Sequence, residues 1–93
     1  MIAVNSFIWD GWNRRHIVKH NITPGEIEEV CNGRHQARKS YRNRILVSGK
    51  TKLGKNLSIV LSPEDRNLKP YGKGAYYVIT AFEKEVTNDQ LTE

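Results

Sequence analysis

Cysteine is nearly absent from this chain. Cys31 is the only one in 93 residues, so no intramolecular disulfide can form and a thiolate-rich zinc site is excluded by count. Long hydrophobic runs are missing as well: the longest, around residues 76–82, falls far short of the ~20 residues that a membrane span requires. No charged-then-apolar leader opens the chain. These absences lead us to expect a cytoplasmic protein without membrane association. Also lacking is the low hydrophobicity and one-sign charge of a disordered polymer, since 38% of the residues are hydrophobic and 27% charged. At 93 residues the chain suffices for one small core and is too short for two, so a single domain over residues 1–93 is expected.

Acidic residues are scarce where basic ones are frequent. Residues 1–56 hold eleven Lys and Arg against four Asp and Glu, whereas residues 57–93 hold four against six, within a net charge of +5. A basic half in a chain of pI near 9.6 favours a polyanionic partner, because neutralising phosphates releases condensed counterions. A solvated basic surface would carry the same charge.

Along the chain, Ser6 to Trp9 reads as a short strand, and Asp10 is an N-cap for a helix over residues 11–20. Asn21 stands where a left-handed residue commonly ends a helix. A second helix begins with Thr23 as cap, Pro24 at the first position, Glu26 completing a capping box and Ile22 spaced to staple against Ile27. Its apolar stripe is Ile27, Val30 and Cys31, and Asn32-Gly33 is its stop. Cys31 is read as a small core residue. Residues 34–41, 44–50, 56–62 and 75–82 are rich in β-branched, aromatic and aliphatic side chains and are predicted strands, with a hairpin connection at 51–55 and a long mobile loop at 63–74. Thr87 and Gln90 form a second capping box, predicting a short frayed terminal helix. The expected fold is α+β: two N-terminal helices packed on one face of an antiparallel sheet of about four strands.

Candidate functional residues fall in three groups. His16 and His20, four apart, share a helix face beside Lys19 and suit general acid or base work; His20 alternatively caps helix carbonyls. No His-Glu-x-x-His pattern accompanies them, so no metal is expected. Arg38, Lys39 and Arg42, with Tyr41 among them, suit contact with an RNA backbone and stacking on a base, or equally guard an edge strand. Trp9 and Trp12 suit core packing more than base stacking.

Several motifs taken together resemble one family. Phe7-Ile8-Trp9-Asp10, Asn13, Lys19-His20, then Arg44-Ile45-Leu46-Val47-Ser48-Gly49, Gly54-Lys55-Asn56-Leu57-Ser58-Ile59-Val60 and Tyr77-Val78-Ile79-Thr80-Ala81 follow the order and spacing of the BrnT toxins, with Asn21 in place of a usual glycine. The resemblance covers nearly the whole chain. It implies a RelE-like fold, the toxin role in a type II toxin–antitoxin pair, a cognate DNA-binding antitoxin as partner, and RNA cleavage without metal or other cofactor, in which the ribose 2′-hydroxyl attacks the adjacent phosphate. A homodimer or a toxin–antitoxin hetero-oligomer is the expected assembly. Arg44 and Lys55 fall where the family pattern is basic, and with His16 and His20 they are the catalytic candidates; Lys50 and Lys52 join Lys19, Arg38, Lys39, Tyr41 and Arg42 as RNA-binding candidates. One departure stands out. Phe82 occupies a position where the family usually has arginine, a loss that would slow cleavage on the order of a hundredfold if that arginine stabilises the transition state. The alternative expectation is therefore a catalytically impaired, toxin-like module that binds RNA or a partner.

Overall fold

A computed structural model describes residues 1–84. The first strand, β1 (Ser6–Ile8), leads into α1 (Gly11–Lys19), then α2 (Pro24–Asn32). Strands β2 (His35–Lys39), β3 (Ile45–Lys50), β4 (Asn56–Ser62) and β5 (Ala75–Glu83) follow, with a 3₁₀ turn at Tyr41–Asn43 before β3. They form one five-stranded sheet in the order β1-β5-β4-β3-β2. Strands β2 to β5 are antiparallel neighbours, whereas β1 lies parallel to β5. The class is α+β as expected, but the sheet is mixed and one strand wider than the antiparallel sheet of about four. The extra member is the opening strand, whose short apolar run names no partner. The terminal helix expected at Thr87 and Gln90 lies outside the described residues.

Both helices begin on capping boxes. The Asp10 carboxylate accepts from the Asn13 N–H at 2.9 Å while Asn13 Oδ1 accepts from the Asp10 N–H at 2.8 Å. Thr23 and Glu26 reciprocate in the same way at 3.2 and 2.9 Å, with Pro24 supplying no orphan donor at the first position. The end of α1 is a full Schellman closure: Asn21 N–H donates to Val18 O and Ile22 N–H to Ile17 O, with Asn21 at φ 61°. The turn between the helices is thus built from its own backbone, and it delivers Ile22 into the core.

Asn13 joins helix to sheet. Its side chain is fully buried, and its amide group donates to both Ile8 O and Val78 O at 3.0 Å. The last β1–β5 pair is Ile8 with Tyr77, so α1 takes over alongside β5 one residue beyond it. An edge carbonyl is thereby satisfied where strand pairing stops. On the other side of the core, α2 presses onto β3 at Gly49, where a Cβ would stand 2.7 Å from Val30 Cγ1. Only glycine admits that approach.

Ile17, Ile22, Ile27 and Val30 from the helical layer share one core with Val47, Leu57, Ile59, Leu61, Val78 and Ala81 from the sheet. Cys31 is buried there and burial pushes its thiol up to about 11, the property of an inert core residue. The chain start is held as well: Ile2 N–H donates to His35 Nε2 at 3.1 Å while His35 Nδ1 meets Gly33 O at 2.9 Å, so both ring nitrogens are engaged. The register sets Arg38, Leu46, Val60 and Thr80 in one cross-strand row and Gln36, Ser48, Ser58 and Phe82 in another. The core row Val47, Ile59 and Ala81 runs between them and points the other way, so both rows lie on the sheet face opposite the core, where α1 reaches Thr80 through His16.

Candidate nucleic-acid interface

The loop expected to be mobile closes on itself. The Asp65 carboxylate accepts from the N–H groups of Asn67 and Lys69 at 2.8 and 3.0 Å, and Tyr71 N–H donates to Pro63 O at 3.0 Å. Folding back in this way, residues 63–71 form one wall of an open groove of about 810 Å³. The start of α1 gives Asp10 and Trp12, the turn before β3 gives Arg42 and Arg44, the loop adds Glu64, Asp65, Arg66 and Tyr71, and β5 adds Tyr77 and Ile79.

Charge in the groove is unequally available. Asp10 accepts the Tyr77 hydroxyl at 3.0 and 3.1 Å as well as the helix N–H, Asp65 serves its own loop, and Glu64 accepts from Asn43 Nδ2 at 3.3 Å. The Asn13 N–H and, less strongly, the Tyr77 hydroxyl hold the Asp10 carboxyl below its ordinary value, against some desolvation. Desolvation and the hydrogen bond to Asp10 push Tyr77 up to about 12, so it stays a protonated donor. Among the described residues, by contrast, none of the three arginines is in an ion pair. The lining holds three carboxylates against three guanidinium groups; the acids are engaged by internal donors, so the guanidinium N–H groups are the ones left available to a phosphate.

Arg42 is placed by the turn between β2 and β3. Arg42 and Asn43 both adopt left-handed φ, 59° and 60°, closed by Ser40 N–H donating to Arg44 O at 2.7 Å. With Arg44 N–H donating to Tyr41 O at 3.3 Å, they are the two central residues of the tight turn joining β2 to β3, a turn that requires left-handed φ at both positions and costs roughly 1–2 kcal/mol per non-glycine residue.

The structure separates the four catalytic candidates. Arg44 lines the groove. Lys55 sits at the opposite end of the β3–β4 pair, where its neighbour Asn56 pairs with Lys50, about 20 Å away at ~3.3 Å per strand residue. There the Lys55 ammonium donates to the Asn21 carbonyl and forms an ion pair with Glu26 at 3.1 Å. It ties the helix–helix junction to the hairpin. His16 Nε2 meets Thr80 Oγ1 at 3.0 Å, and its ring stacks under Trp12 at 4.9 Å and 8°. His20 packs edge-on to His16 at 5.3 Å and is the C-cap residue of α1. Neither histidine lines the groove.

Of the RNA-binding candidates, only Arg42 lines the groove. Tyr41 is exposed in the strained turn next to it; Arg38 and Lys39 are exposed on the edge strand β2, and Lys19 ends α1. Lys50 and Lys52 belong to the far hairpin, where the Lys52 N–H donates to Glu29. Trp9 packs against the core with Arg14 over its ring at 5.9 Å, as expected. Trp12 does not pack inside; it is 55% exposed.

Sequence reading missed Asp10 as a groove residue, and with it Arg66, Tyr71 and Tyr77. The two tyrosines stack at 6.3 Å and 19°, but one lies in a loop and the other in a strand, so nothing in their spacing announces the pair. No group of three His, Cys, Asp or Glu gathers as a metal would need among the described residues, and no helix there is long and apolar enough to cross a membrane. Compared with family models, curated proteins and solved structures, the chain shows no match.

Proposed function

We propose that this chain acts on RNA as a BrnT-type, RelE-like toxin, an endoribonuclease that needs no metal and is neutralised by a cognate DNA-binding antitoxin. The observation that carries this reading is the groove itself: Arg42, Arg44 and Arg66, free of ion pairs among the described residues, line one cleft with Trp12, Tyr71 and Tyr77. When the ribose 2′-oxygen bonds to phosphorus, the bond to the 5′-oxygen breaks; the product is a 2′,3′-cyclic phosphate, and the 2′-hydroxyl proton ends on the departing 5′-hydroxyl. Cations aimed at the phosphate stabilise the charge that builds on its oxygens, often the largest single contribution to catalysis. In this reading Arg44 and Arg42 hold the phosphate, while His16 supports Trp12. On the same reading, the sheet face carrying Leu46, Val60 and the 42% exposed Phe82 is the seat of an apolar antitoxin segment.

A second reading has its own support. Of Arg44, Lys55, His16 and His20, only Arg44 lines the groove, and Phe82 stands 42% exposed where the family pattern is arginine. Both observations favour a module that binds RNA or a partner and cleaves poorly.

Incubating purified protein with single-stranded RNA in excess chelator separates the two. Fragments ending in 2′,3′-cyclic phosphate, absent with Arg44→Ala, support the nuclease. RNA that is bound but stays intact supports the second reading.

A further inference from the structure

We infer that the groove carries two prebuilt base-stacking platforms, Trp12 and the Tyr71–Tyr77 pair, and that it takes the unpaired nucleobases of single-stranded RNA in preference to a duplex. This rests on the RNA reading of the groove and narrows its substrate class.

Trp12 is the first platform. A tryptophan normally buries most of its surface, yet this ring is 55% exposed without being loose. Its inner face lies on His16 at 4.9 Å and 8°, and His16 is itself held by Thr80 Oγ1 at 3.0 Å. A ring braced from behind, with its other face toward a groove, is ordered before any ligand arrives. Stacking on it then loses little conformational freedom.

The second platform shares an anchor with the first. Tyr71 and Tyr77 stack at 19°, and the Tyr77 hydroxyl is fixed on Asp10. Asp10 is the N-cap of the helix that carries Trp12 two residues later. Both aromatic surfaces are therefore referred to the same carboxylate, and Arg42, Arg44 and Arg66 line the cleft with them. A nucleic-acid strand presents both bases and phosphates, and the groove holds aromatic and cationic groups for each. A duplex keeps its base faces stacked inside and offers only phosphates, leaving both platforms unused.

The test uses the full chain and a short, fluorescently labelled 2′-O-methyl RNA, which cannot be cleaved, offered as a single strand and as a duplex with its complementary strand. Fluorescence anisotropy should show the single strand bound more tightly. Trp12→Ala should weaken that binding about tenfold, whereas Trp12→Phe, which keeps a ring, should retain most of it. Arg42→Ala with Arg44→Ala should weaken both RNAs. In a Trp9→Phe chain Trp12 is the sole indole, and the single strand should quench its emission; this readout stands even if Trp12→Ala fails to fold. Equal binding of duplex and single strand, or intact single-strand binding by Trp12→Ala with unchanged Trp12 emission, overturns the inference and leaves the RNA reading in place. No binding of either RNA by the unmodified chain overturns both.

Discussion

At the scale of single residues, the most informative side chain is Asn13. It is fully buried, and all its polar atoms are used: two donors on the carbonyls of Ile8 and Val78, one acceptor on the Asp10 N–H. Asn13→Ala leaves three buried or half-buried backbone groups unpartnered, and we expect a loss of about 3 kcal/mol in urea unfolding. Arg44 and Lys55 form an instructive pair. Both read as phosphate contacts, yet Lys55 is bound to Glu26 and to the Asn21 carbonyl at the far end of the sheet. Lys55→Ala is expected to lower stability by roughly 1 kcal/mol with little effect on RNA binding, and Arg44→Ala to do the reverse; paired melting and binding measurements check both. Residue type alone could not distinguish these roles, since a lysine in a basic hairpin looks the same whether it meets a phosphate or a helix end.

Elements were far more legible. Asp10, Asn21 and the Thr23-Pro24-Glu26 run placed both helices to within a residue or so, because capping is chemistry between near neighbours. Strand positions were legible from their local runs of β-branched, aromatic and aliphatic residues. The parallel pairing of β1 with β5 was not, since it joins residues about seventy apart through a three-residue strand. The reciprocal bond from Asn13 was missed too. Close packing of elements sets a further expectation: Gly49→Ala forces a Cβ toward Val30 and His35, and overpacking of this kind costs about 1–3 kcal/mol. The caps also shape the acid limb of stability. The Asn13 N–H leads in lowering the Asp10 carboxyl; at Glu26 burial opposes the shift, but the Thr23 N–H and Lys55 outweigh it. Both folded values lie below the unfolded ones, so the stability they contribute is complete above the ordinary carboxylate range near ~4 and is lost as pH falls through the folded values. Melting temperature should drop across that window, and Asp10→Asn should make the drop shallower.

For the molecule as a whole, two groups of cationic side chains lie at opposite ends of the sheet. One is the groove with Arg42, Arg44 and Arg66; the other is the hairpin with Lys50, Lys52 and Lys55. Composition pointed to a polyanion without choosing between them, because only the folded loop brings Arg66, Tyr71 and Tyr77 to the first. If the nuclease reading holds, Phe82→Arg should raise the rate of RNA cleavage, and an unchanged rate would place the limiting step elsewhere. The central claim is that RNA enters the groove, and the most direct measurement is amide and indole chemical-shift mapping by NMR during titration with single-stranded RNA. Shifts concentrated at Trp12, the Arg42–Arg44 turn, the loop around Arg66 and Tyr71, and Tyr77 are the expected result. Shifts concentrated instead at Lys50, Lys52 and Lys55, with the groove undisturbed, would contradict it.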